Sequence, residues 1–276
     1  MNISPKSALL FSYVLAALLS SSCSRASSGG LAFCTQATDV ESAISACTEV
    51  VESKAATKED RASALSYRGS AFNAKGMRKE SLQDLDASVQ LVPSAENLAN
   101  RGAIRSLQGE LDAAMVDLEA ALRLDPRNVL AIGNRGIIHE KRSEFVAARA
   151  DMDLAISIDP KPWQPWGERC WIGAVLADRL PESLIDCNHA IERQSQDPNT
   201  YNSRGLVHFR MGHYPEAIAD YGHAIKGAPS VASSWLMLGL AKKAAGVEGA
   251  QADINKGKAM DPTVAARYAG YGVAVE

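Results

Sequence analysis

The sequence predicts an all-α protein, a row of stacked helical hairpins. Three observations carry this: a small residue returns about every 34 positions, a proline answers it, and a turn glycine lies between them. The small residues are Gly69, Gly102, Gly136, Cys170, Gly205 and Gly239, at spacings of 33, 34, 34, 35 and 34. The prolines are Pro93, Pro126, Pro160, Pro198, Pro229 and Pro262. Gly76, Gly109, Gly212 and Gly246 mark the turns, and Ser143 stands in the matching place of the third unit. Each unit reads as helix, short turn, helix, then a proline where no helix continues.

The chain opens with one cation, Lys6, an uninterrupted apolar run from Ala8 to Leu19, and small residues from Ser20 to Ala26. That order is the layout of a secretory signal, so residues 1–26 are expected to direct export. The run, as a helix, reaches about 18 Å, short of the roughly 30 Å of a hydrocarbon core. Three fates stay open: cleavage after Ala26 with release into the periplasm, a lipid anchor on Cys23 at the outer membrane, or an uncleaved anchor. Ser20-Ser21-Ser22-Cys23 has the small residues of a lipidation box, but Leu19 lies four places before the cysteine instead of three.

Residues 27–61 hold an amphipathic segment, 38–53, with Thr38 or Asp39 placed to cap it and acidic residues in its first turn. Its Ala43, Cys47 and Val50 match the second helix of a unit, so it reads as half a hairpin covering one end of the stack. Six units then follow at about 62–94, 95–128, 129–162, 163–197, 198–231 and 232–262. Residues 263–276 read as a short capping helix. Terminal caps are needed because an outer face has no neighbour.

The unit resembles the tetratricopeptide repeat, a 34-residue helix-turn-helix with small residues at positions 8, 20 and 27 and Pro at 32. In residues 95–128 these are Gly102, Ala114, Ala121 and Pro126. The pattern recurs six times, with a one-residue shift between the helices of the fourth and sixth copies. The resemblance implies a right-handed superhelical solenoid that binds another protein and has no catalytic role.

Arg occupies position 7 at Arg68, Arg101, Arg135, Arg169 and Arg204, and Asp occupies position 23 at Asp84, Asp117, Asp151, Asp186, Asp220 and Asp253. The two positions are symmetric about the turn and opposite in charge, so salt bridges inside each hairpin are expected rather than a ligand-binding stripe. In the sixth copy Leu238 replaces the arginine. Cys170 at position 8 and Cys187 at position 24 also face each other across the turn, and a disulfide between them is geometrically reasonable. Cys34 and Cys47 form the second candidate pair. Without Cys23 the cysteines are even in number, which suits an oxidising compartment.

In this family the first helix of each repeat lines the inner surface at positions 2, 5, 9, 12 and 13. The early copies are small and polar there: Ser63, Ser66, Ser70 and Asn73, then Glu96, Ala99, Ala103 and Ser106. The third copy supplies Leu130, Ile137 and Lys141, and the fourth supplies Trp171. The fifth gives Leu206, Phe209 and Arg210, and the sixth Leu236, Leu240 and Lys243. These residues read as a groove for a peptide or helix, centred on Trp171, Phe209 and Arg210. The alternative is that they pack against neighbouring helices. A carboxylate clamp of Lys and Asn is missing, since position 5 holds Ser66, Ala99, Gly133, Gly167 and Asn202.

A net charge of −3 with no basic block argues against nucleic acid as partner. No nucleophile elbow, HExxH or P-loop occurs, and the histidines are scattered, so no catalytic residue, metal or cofactor is expected. The functional expectation is an envelope scaffold or adaptor for another protein. The rival is an architectural subunit or lipoprotein assembly factor of an envelope complex.

Overall fold

The computed structural model describes Cys34, residues 39–194 and residues 196–275. The expected signal, residues 1–26 with Cys23, lies outside them. Among the described residues there are fourteen helices of three or more turns or short caps, and no strand. No described helix is long and apolar enough to cross a membrane. The chain divides into two compact units, one ending at Glu144 and one beginning at Phe145. That boundary falls between the two helices of the third expected repeat.

The first unit holds α1 (Val40–Glu52), α2 (Lys58–Ala74), α3 (Arg78–Leu91), α4 (Ala95–Gln108), α5 (Leu111–Leu124) and α6 (Val129–Lys141). Local chemistry sets their starts. Asp39 accepts from the Ser42 amide at 2.9 Å and caps α1, and Thr57 with Asp60 forms a reciprocal capping box on α2. The α3 and α5 helices each stop two residues before a proline. Cys34 is bonded to Cys47 on α1, and both are buried beside Val50 and Ala64.

The second unit holds α7 (Phe145–Ile158), α8 (Gln164–Leu176), α9 (Leu180–Arg193), α10 (Pro198–Arg210), α11 (Tyr214–Gly227), α12 (Ala232–Ala245), α13 (Ala250–Met260) and α14 (Val264–Gly270). Proline plays a different part once here: α9 stops at Arg193, and Pro198 opens α10 behind the cap of Asp197. Ser143 in the first unit and Ala177 in the second stand where other copies turn on glycine, and both take positive φ, 61° and 51°. For a non-glycine residue that conformation costs roughly 1–2 kcal/mol, which the packed hairpin has to offset.

The recurring small residue has a direct cause. A Cβ added at Gly102 would lie 2.8 Å from Leu118 Cγ, and one at Gly205 would lie 2.9 Å from the Tyr221 ring. The two helices of a hairpin touch at this level, with nothing on one side and a large side chain on the other. In the fourth copy the same level is filled by the Cys170–Cys187 disulfide, both residues fully buried. Overpacking a close approach costs about 1–3 kcal/mol or more. Gly102→Val is therefore expected to lower the unfolding free energy from a denaturant titration by about 1–3 kcal/mol or more, with the wild-type circular dichroism retained at low denaturant. Removing the Cys170–Cys187 cross-link through paired Ser substitutions should cost about 3 kcal/mol in the same titration, the entropy of a closed loop of this size.

Candidate functional site

Two polar constructions stand out, one structural and one shaped to receive a chain segment. The first is a fork made by four of the position-7 arginines. Arg68 donates from Nε and Nη2 to Asp84 at 2.7 and 2.9 Å, and from Nη1 to Thr48 on α1 at 3.0 Å. Arg101 holds Asp117 at 2.9 and 2.7 Å and reaches back to Asp86 on α3 at 2.9 Å. In the second unit Arg169 grips Asp186 and reaches Asp153 on α7, while Arg204 grips Asp220 and reaches Asn188 on α9. One guanidinium thus ties its own hairpin and the preceding helix. Pairing within a repeat and pairing between repeats are both present, through different acceptors.

The carboxylates at the centre of these forks are almost wholly covered: the Asp117 and Asp220 side chains are each 4% exposed. Hydrogen bonds to Asp84, Asp186 and Asp220 raise the pKa of Arg68, Arg169 and Arg204 above the ordinary guanidinium value. Burial pushes the Asp186 carboxyl up, and the bonds from Arg169 offset that in part. The guanidinium stays charged, because arginine does not give up its proton. In the sixth copy Lys242, one helical turn beyond Leu238, donates to Asp253 at 2.7 Å. Arg105 sits at the same offset from Arg101 and adds a third bond to Asp117 at 2.8 Å. A cation four residues after position 7, at Arg105 and Lys242, was the available sequence signal. Arg135 lies on α6 in the first unit, and Asp151, buried, lies on α7 in the second.

The second construction lies in the second unit, on the face expected to hold a partner. There the segment after α14 turns back onto the first helices of the hairpins. The Tyr271 ring meets Trp171 edge-on at 5.8 Å, Phe145 at 6.2 Å and Tyr268 at 5.6 Å. Arg210 donates from Nη2 to the backbone carbonyl of Tyr271 and, at 3.3 Å, to that of Val175. Val273 is buried in the same cluster, and Phe209 and Val275 pack at its margin.

The family model for the tetratricopeptide repeat matches residues 108–161 and 202–241. Over those stretches the chain carries tetratricopeptide repeats. A comparison with curated protein sequences gave no match. Among solved structures, a tetratricopeptide-repeat protein from Parabacteroides merdae is 20% identical with a TM-score of 0.56, covering 80% of this chain and 87% of that one. The pilF protein of Pseudomonas aeruginosa is 16% identical with a TM-score of 0.59, covering 78% and 95%. YrrB, a TPR protein described as having an unusual peptide-binding site, is 15% identical with a TM-score of 0.52, covering 68% and 98%. At these identities the likeness is one of fold.

The expected groove residues of this repeat protein separate into floor and rim. Leu206 and Leu236 are fully buried, and Ile137, Trp171 and Leu240 are nearly so. They contribute packing instead of an open apolar strip, because each first helix is covered on this side by neighbours. Phe209 and Arg210 are half-buried, and Lys243 is exposed. Leu130, Ile137 and Lys141 belong to the first unit, where the Lys141 ammonium donates to the Ser106 carbonyl at 2.9 Å. The small polar residues of that unit are interior too. Asn100 donates to the Ser66 hydroxyl at 2.8 Å, and the Ser88 hydroxyl donates to the Ala62 carbonyl at 2.7 Å. Trp166 and Trp235 are half-buried staples that donate to the carbonyls of Pro160 and Pro229.

His208 sits beside the fork of Arg204, with Nε2 at 3.9 Å from Asp220 and Nδ1 buried without a partner. Burial lowers its pKa below 6.5; Asp220 works against that shift and Arg204 with it. A histidine kept neutral in the fold contributes nothing at high pH. As pH falls through 6.5 the unfolded chain takes up a proton first, so stability is lost on acidification. The denaturation midpoint should therefore fall more steeply between pH 7.5 and 5.5 in the wild type than in His208→Gln. Separately, Asp117→Ala leaves Arg101 and Arg105 facing each other without their shared carboxylate, and should cost about 3 kcal/mol by denaturant titration.

Proposed function

We propose that this repeat protein is an interaction scaffold whose second unit holds a segment of a partner protein against Trp171, Phe209 and Arg210. The observation that carries this reading is that the face already holds a chain segment. An aromatic ring is seated among Phe145, Trp171 and Tyr268, and a backbone carbonyl is bound by Arg210. A seat that combines apolar contact with recognition of main chain suits an extended peptide. The peptide-binding site ascribed to YrrB lends the same reading general support.

The compartment proposed is the bacterial envelope: the periplasm after cleavage near Ala26, or the outer membrane through a lipid on Cys23. Two buried disulfides support an oxidising location. Alkylation of the protein recovered from the envelope fraction, with and without reductant, should find Cys34, Cys47, Cys170 and Cys187 protected until reduction. Free thiols there would count against export.

The binding reading is tested with a library of displayed random twelve-residue peptides panned on the intact chain. Selected peptides should carry an aromatic or aliphatic anchor and bind Phe209→Ala with Arg210→Gln at least tenfold more weakly, the variant keeping wild-type circular dichroism. Failure to select any peptide, or equal binding by the variant, rejects it.

A further inference from the structure

The segment that occupies this face is fastened in a way that allows it to leave. Helix α14 is anchored on its own account, with Val264 and Tyr268 buried at 0% and 2% exposure. Of residues 271–275, Val273 alone is buried. Tyr271 is only half-buried, and Gly272 and Ala274 are exposed. Gly270 and Gly272 bracket Tyr271, a Cβ on either would meet nothing within 4 Å, and Gly272 takes φ 75°. A glycine on each side of the seated tyrosine gives the backbone a hinge with little steric resistance.

The fit beneath the segment is also incomplete. Arg210 Nε is buried with no partner, and so is the hydroxyl of Tyr221, whose side chain is fully enclosed. Burial holds the pKa of that phenol well above the ordinary value; Tyr268 and Asp220 add to the shift and Arg210 opposes it. A buried donor without an acceptor is costly, so the seat has hydrogen-bonding capacity that residues 271–275 do not use.

We infer that residues 271–275 are a built-in competitor for the partner seat, and that the partner segment that displaces them shares their chemistry and improves on it. That partner would place an aromatic ring among Phe145, Trp171 and Tyr268 and a main-chain carbonyl on Arg210 Nη2. Small aliphatic side chains would follow, with an added acceptor, an amide or carboxylate, within reach of Arg210 Nε. This rests on the reading of the face as a partner site. It adds that the site is filled at rest, so that apparent affinity is set by competition with a tethered segment at millimolar effective concentration.

The test uses the chain stopped after Gly270, which keeps α14, and a synthetic peptide of residues 271–276 as probe. Calorimetry should show the shortened chain binding the peptide and the intact chain binding it about tenfold more weakly. Arg210→Gln in the shortened chain should abolish the binding. No binding to the shortened chain, or equal binding to both, overturns the inference. If peptides selected from the random library still bind at Arg210 in that case, the partner-site reading survives on its own. Should the shortened chain fail to fold by circular dichroism, Tyr271→Ser in the full chain replaces it. That variant is expected to bind a library-selected peptide at least fivefold more tightly than wild type, and unchanged affinity would equally overturn the inference.

Discussion

Each arginine fork fixes the relation of three helices, and the packing around it follows from that. A guanidinium offers donors in one plane, and here two edges of that plane are used at once: Nε and Nη2 close a hairpin, while Nη1 fastens the helix before it. Because both bonds come from one rigid group, the spacing inside a hairpin and the spacing to its neighbour are set together. Aromatic rings cover several of these cations: Arg68 lies 5.7 Å from the centre of Phe72, Arg169 5.1 Å from Trp166 and Arg204 5.4 Å from Tyr201. Such cover excludes water and strengthens the electrostatics it hides. Buried ion pairs are seldom a net gain over apolar packing, so the fork is better understood as a device for register.

Around that frame the two units solve the interior differently. The first fills much of the first-helix side with hydroxyls and amides, with Ser66, Ser70, Asn97, Asn100 and Ser106 buried. The second fills it with Trp171, Leu206, Leu236 and Leu240 in one continuous cluster that extends to Tyr268 and Val273. A serine-rich interior must satisfy each group and gains little from area, whereas the apolar interior gains from every methylene covered. The chain therefore has apolar capacity for a seated segment in the second unit.

Periodic features were legible in the sequence because they answer constraints repeated six times. The glycine at position 8 is set by the neighbour at position 24, as Gly102 by Leu118, so its recurrence can be read without coordinates. The prolines likewise marked the helix ends, except that Pro198 begins α10 instead of closing the repeat before it. Single events were harder to see. The acceptors on the preceding helix change identity from Thr48 to Asp86, Asp153 and Asn188, so no common letter marks them. Trp171 and Arg210 were picked out as a binding centre from their position in the repeat. That Tyr271 sits on them depends on a contact between residues about a hundred positions apart, which no local pattern encodes.

The Cys170–Cys187 bond acquires a further meaning beside that contact. It occupies a level where other hairpins set a glycine against a bulky side chain, and Trp171 follows Cys170 on the same helix. The bond therefore ties α8 to α9 next to the tryptophan that meets Tyr271. The wall behind that aromatic contact is thus covalent in this one repeat, where the others rely on packing and ion pairs.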